Sequence, residues 1–288
     1  VSSDDRPPSN PPPPDPTRLV FGFAPPVEGD RTRQALVELC RALGAALSID
    51  VAPMRVTSYG ALERAILEER ASFGWLPPVV LARLELSGRV LPIVQCQRAG
   101  AVNYQTCLFT RTDGPERIED LAGVRAVWVD RSSAAGFVFP RLLLASRGIK
   151  PRDAFSQETF VQSHAEVVRA VVAGEADVGA TFATLDGTGR IVRGGWTEPD
   201  GSNPKPIRVL GTFGPIPSDA MAVSTALPAK SSEALAKALV ALGSTPSLRA
   251  ALRHLFGADA LVPIEPAAYA PLRGLVAKAQ EEGLAIDG

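Results

Sequence analysis

Three short stretches of this sequence put side-chain donors where a strand hands over to a helix, and each is suited to hold an anion. The first is Asp130-Arg131-Ser132-Ser133-Ala134-Ala135-Gly136, between an apolar run ending at Val129 and a helical pattern over 137–146. A helix start offers free backbone N–H groups and partial positive charge. Ser132 and Ser133 leave room for an anion and add O–H donors. The same pattern also describes a plain cap, in which Ser132 or Ser133 serves only the backbone. Pro140 cannot bond back to Gly136, so the first turns should be kinked. The second stretch, Gln162-Ser163-His164-Ala165-Glu166, has capping-box spacing. It puts His164 in the first helical turn, as a donor to a phosphoryl oxygen or as a solvent-facing ring. The third, Thr57-Ser58-Tyr59-Gly60, does the same for Tyr59, whose O–H either crosses a cleft or packs on its own lobe. Tyr104, on an extended run, is either hinge packing or cleft wall.

Covalent and metal chemistry lack comparable signatures. There are two histidines, His164 and His254, and no GxSxG, Walker A, GxGxxG or HExxH pattern. His254 falls inside a helical run and reads as a surface or half-buried residue. No CxxC or Cys/His cluster has zinc spacing. The expectation is a binder without catalytic residues, metal or cofactor. Cys96 and Cys107 flank a hairpin turn, which permits a disulfide; the alternative is three buried free thiols with Cys40.

The elements that must position these donors alternate. Leu19–Ala24, Ile49–Met54 and Ser72–Leu76 read as strands, with helices over 32–47, over 61–68 and from Pro77-Pro78 onward. Val90–Gln97 and Tyr104–Thr110 are extended runs around Ala99-Gly100. A second series follows: strands Arg125–Val129, Glu158–Val161 and Val178–Phe182, and helices Phe137–Ser146 and Ala165–Val172. Residues 194–206 read as an exposed loop. Ile207–Phe213 and Met221–Ser224 read as strands, and three helices close the chain, over 232–242, 247–255 and 266–281. This order predicts an α/β fold of two units with a cleft between them, outside the carboxyl ends of parallel strands.

With 288 residues, two domains are expected. Thirty basic residues against 31 acidic ones give a net charge of −1, without the basic excess of a nucleic-acid binder. An anionic ligand must therefore be held by local donors. No apolar run reaches the roughly 18 residues of a membrane span. Residues 1–17 carry Pro7-Pro8 and Pro11–Pro14 and read as a disordered, polyproline-like tether. The opening Val1-Ser2-Ser3-Asp4-Asp5 has no signal-peptide pattern.

Six segments, in order along the chain from about Leu19 to Leu227, carry a resemblance to a known family. They are Ser58-Tyr59-Gly60-Ala61-Leu62, Gly74-Trp75-Leu76-Pro77-Pro78, Ser132–Gly136 with Pro140-Arg141, Gln162-Ser163-His164, Gly174–Ala180 and Pro215-Ile216-Pro217-Ser218-Asp219. Each is short, and the specificity lies in their order and spacing. Together they resemble the PhnD-like phosphate/phosphite/phosphonate-binding proteins of ABC transporters. The resemblance implies a type II periplasmic-binding-protein fold, two-lobed, with hinge strands and a central cleft. Lobe 1 would comprise 18–106 and 213–288, and lobe 2 would be 107–212. It implies a small phosphorus oxyanion seated on Ser132 and Ser133, with Tyr59, Tyr104 and His164 as further donors. Asp219 matches an acid that meets the ammonium of aminoalkylphosphonates. A permease partner and a periplasmic or extracytoplasmic location, lipid-anchored in one version, follow from the same resemblance. A ligand-sensing module of the same fold is the alternative. Two departures stand out: Ala134 replaces a third hydroxyl residue, and Pro77 replaces a glycine.

Overall fold

The computed structural model describes residues 18–24, 29–151, 154–198, 202, 205–265 and 267–281. The Pro-rich run 1–17 lies outside the described residues, and so does part of 194–206. The elements are β1 (Arg18–Phe23), α1 (Asp30–Leu47), β2 (Asp50–Arg55), α2 (Tyr59–Leu67), β3 (Phe73–Leu76), α3 (Pro78–Leu86), β4 (Val90–Gln97), β5 (Asn103–Arg111), β6 (Val124–Trp128), α4 (Phe139–Ser146), β7 (Phe155–Phe160), α5 (His164–Val172), β8 (Val178–Leu185), β9 (Ile191–Gly194), β10 (Ile207–Pro217), β11 (Ala220–Ser224), α6 (Ala229–Leu242), α7 (Pro246–Phe256), β12 (Ala260–Pro263) and α8 (Ala270–Glu281).

They build two sheets. The first runs β12-β4-β11-β3-β1-β2, and the second runs β10-β5-β8-β6-β7 with β9 paired to β8. In the first, β1 pairs in parallel with β2 and β3, while β11 and β12 run antiparallel to their neighbours. In the second, β6 is parallel to β7 and β8. Helix starts after parallel strands therefore gather at one edge of each sheet.

Each sheet has its own apolar core. Phe21, Phe23, Phe73, Trp75 and Phe256 pack under α1, α6 and α7, with Phe21 and Phe73 stacked at 4.8 Å. Val167, Val168 and Val171 of α5 pack on Phe109, Val127 and Trp196. A third cluster runs from Leu62 and Leu76 of the first unit through Ile216 and Ala220 to Leu108, Trp128 and Phe139 of the second. The chain passes between the sheets twice, at 98–102 and at 218–219. The Ser218 N–H donates to the Val102 carbonyl (2.9 Å) and the Cys96 N–H to the Asp219 carbonyl (2.8 Å).

Two expectations need correction. The closing segment is not three helices alone: β12 lies between α7 and α8, with Leu261 opposite Cys96. The stretch 194–206 is not simply an exposed loop, because Gly194 ends β9 and Trp196 is buried against Phe109 at 5.7 Å. Of the two readings of the cysteines, the structure has the three buried free thiols: Cys40, Cys96 and Cys107 are all free and buried. Burial pushes each thiol up to about 12, which keeps it protonated at neutral pH.

Candidate ligand-binding site

The turn after β6 is built tightly against that strand. Ser133 caps the helix start, its Oγ accepting the Gly136 N–H at 3.1 Å. Residues Ala134–Val138 form a single π-type turn, in which Val138 N–H reaches the Ser133 carbonyl at 3.0 Å. Pro140 is the cause: it has no N–H for the Gly136 carbonyl. That carbonyl accepts from Val129 N–H instead, at 3.3 Å, which bends the helix start back onto its strand. Gly136 is needed there, since a Cβ on it would stand 2.4 Å from Val129 Cγ2.

Several donors of this turn are taken. Ser132 N–H bonds Asp130 Oδ1 (2.7 Å), and Ser133 N–H bonds the Asp130 carbonyl (3.0 Å). The N–H groups of Ala134 and Ala135 have no acceptor among the described residues. The missing hydroxyl at Ala134 thus leaves its backbone donor in place. Ser132 is 1% exposed, and its Oγ has no partner among the described residues.

The other two helix starts are also capped, that at Ser163 as its spacing implied. Ser58 Oγ accepts Ala61 N–H and Ser163 Oγ accepts Glu166 N–H, each at 3.1 Å. Gln162, left-handed at φ 65°, turns the chain out of β7 and bonds the Val129 carbonyl at 2.8 Å. That bond ties the His164 turn to the Ser132–Ser133 turn. The His164 ring meets Phe182 edge-on at 5.3 Å, and Nδ1 lies 3.0 Å from Thr181 Oγ1. Burial lowers its pKa to about 4, so the imidazole is neutral at pH 7.

Strand β5 joins these pieces. Thr106 pairs with Phe182, which carries the His164 ring, and its Oγ1 donates to the Ala135 carbonyl at 2.7 Å. Tyr104 lies two residues away, on the same face of the strand. Burial raises the Tyr104 hydroxyl well above its usual range, and Asp219 adds to this; Arg98 opposes it and Tyr59 adds a little. Tyr59, packed on Trp75 at 6.4 Å, is raised by burial first, then by Asp219 and Asp130. Tyr59 thus feels the crossing at Asp219 and the far sheet's edge at Asp130. Asp219 acts electrostatically on both Tyr59 and Tyr104, and Asp130, at the start of the Ser132–Ser133 turn, acts on Tyr59. His164 is linked to this region through Phe182 and Thr106.

Two participants escaped the sequence reading. Arg98 donates to Asp219 Oδ2 and, at 2.7 Å, to the Phe256 carbonyl. Burial is the strongest single influence and opposes its charge, but Asp219, Cys96 and Tyr104 together hold Arg98 above its ordinary pKa. Tyr269 donates its O–H to the Ser218 carbonyl behind the crossing. A lone arginine directly after β4, beside Ala99-Gly100, was the only local signal. His254 is structural, its Nε2 lying 3.1 Å from Thr32 Oγ1 between α7 and α1.

A family model described as ABC transporter, phosphonate, periplasmic substrate-binding protein matches residues 21–269. The chain belongs to this family. Members of this phosphonate-binding family are the solute-capturing components of transporters rather than enzymes. No curated protein sequence matches the chain. Solved structures share the fold at low identity. Protein XAC2383 from Xanthomonas citri, bound to ATP, aligns with a TM-score of 0.75 at 18% identity, over 92% of this chain and 98% of that one. A binding protein component of an ABC phosphonate transporter from Pseudomonas aeruginosa gives 0.73 at 16%, over 95% and 90%. PhnD1 from Prochlorococcus marinus, in complex with methylphosphonate, gives 0.72 at 16%, over 93% and 100%. The chain therefore has the type II periplasmic-binding-protein fold that its sequence implied. Among the described residues no helix is long and apolar enough to cross a membrane.

Proposed function

We propose that this chain captures a small phosphorus oxyanion, a phosphonate, phosphite or phosphate, between its lobes and delivers it to an ABC-transporter permease from the periplasm. The observation that carries the reading is the pair of unused N–H groups of Ala134 and Ala135 beside the Ser132 and Ser133 hydroxyls. A tetrahedral anion is stable out of water only when most of its oxygens are paired. The helix start supplies donors from one lobe, and charge-assisted bonds to N–H and O–H groups offset the lost hydration. Tyr59 supplies an O–H from the other lobe, and Tyr104 one from beside the crossing. His164, neutral, serves as a donor through Nε2–H when Thr181 O–H occupies Nδ1. Enclosure needs both lobes, so binding and hinge closure are one event.

A thermal-shift series over phosphate, phosphite, methylphosphonate and sulfate tests this. A ligand at about 100 times its Kd stabilises the native state by about 2.7 kcal/mol. We expect at least one phosphorus oxyanion to raise Tm by several degrees. If none of the three shifts Tm at millimolar concentration, the reading is wrong.

A further inference from the structure

A carboxylate in a ligand cleft ordinarily draws a cationic group of the ligand. Here the chain supplies that cation itself. Asp219 stands among the tyrosines with Arg98 on its Oδ2. The same guanidinium is held from behind: Nη2 reaches the Phe256 carbonyl at 2.7 Å and Nε the Gly257 carbonyl at 3.2 Å. These carbonyls end α7, where the helix carries partial negative charge. The neighbouring Ala99 N–H is fixed by Asp259 at 2.8 Å. Arg98 cannot swing away without leaving Asp219 and two carbonyls unpaired in a largely enclosed place. The other nearby carboxylate, Asp130, has one oxygen on Ser132 N–H.

Resting on the oxyanion reading above, we propose that the cleft selects an oxyanion whose substituent is uncharged, and that Arg98 sets this selectivity by neutralising Asp219. An ammonium brought to Asp219 meets the guanidinium in the same place. Attraction and repulsion offset each other, while the ammonium loses its hydration. The hydroxyls of Tyr59 and Tyr104 and the Trp75 ring beside Tyr59 suit a hydrogen, a short alkyl group or a hydroxyl.

Calorimetric titration of the full chain with ethylphosphonate and 2-aminoethylphosphonate isolates the ammonium. Wild type should bind ethylphosphonate at least about tenfold tighter, the lower end for a buried charge left unpaired. Arg98→Lys keeps the charge and should keep the preference. Arg98→Gln should narrow it severalfold. Equal binding by wild type, or tighter binding of the amino compound, overturns the selectivity and leaves the oxyanion reading standing. An undiminished preference in folded Arg98→Gln overturns the role of Arg98. If neither phosphonate binds, and phosphite and phosphate also fail, the oxyanion reading falls and takes this proposal with it. The wild-type comparison decides the selectivity even where Arg98→Gln fails to fold.

Discussion

Replacing Gly136 with alanine tests the turn on which the site is built. The added Cβ would lie 2.4 Å from Val129 Cγ2, 2.6 Å from Val129 Cβ and 2.8 Å from Ser133 Oγ. Val129 is β-branched, 7% exposed and bonded through its own N–H and carbonyl to Gly136 and Gln162, so it has little freedom to yield. The helix start must lift off β6. Overpacking of this kind costs about 1–3 kcal/mol, and losing the Ser133 cap adds about 0.5–2 kcal/mol. A loss of about 1.5–5 kcal/mol of folding stability is expected. Urea unfolding of the ligand-free protein measures it from the midpoint at constant slope. Gly60→Ala is the control: its Cβ meets only Arg64 Nη1, at 3.8 Å, and it should stabilise α2 by about 0.4–1 kcal/mol. A Gly136→Ala loss below about 1 kcal/mol would refute the close approach and the geometry drawn from it.

Other outcomes follow from the same contacts. Ser133→Ala should weaken oxyanion binding by about 1.5–3 kcal/mol and cost the free protein about 1 kcal/mol for the cap; unchanged affinity by calorimetry removes Ser133 from the site. Tyr59→Phe keeps the packing on Trp75, so ligand-free Tm should hold while affinity drops by a comparable amount; equal affinities would return Tyr59 to a packing role. The native His164 pKa of about 4 lies below the ordinary 6.5. Between those values the unfolded chain binds the extra proton, so this contribution is full above pH 6.5 and is lost as pH falls toward 4. His164→Gln should flatten that part of a stability–pH curve, and an unchanged curve would show that other groups cause it. Ligand should also shrink the radius of gyration in solution scattering, and an unchanged radius at saturation argues against closure.

Local chemistry was legible wherever it needed only neighbours in sequence. Ser163 caps as its spacing implied, and Pro140 distorts the helix start because a missing N–H acts at once on Gly136. The alternation of strands and helices gave the fold class for the same reason. What failed depends on distant partners. Ala260–Pro263 is four residues ending in proline, and it becomes a strand only because β4 offers an unpaired edge. Trp196 is buried by Phe109, 87 positions earlier, in a stretch whose glycines and prolines resemble any surface loop. Asp219 was visible as an acid at a motif position. Its partner Arg98 lies 121 residues upstream, and nothing near either residue announces the pair.

Those two residues also occupy separate passages between the lobes, Arg98 on the outgoing strand and Asp219 on the returning one. Their ion pair, with the Cys96-to-Asp219 and Ser218-to-Val102 bonds, buckles both passages into a single strap. The proposed closure of one lobe on the other must therefore bend a double ribbon beside the proposed site. On that proposal, a change made at Arg98 or Asp219 to alter the ligand preference will alter how readily the jaws shut as well.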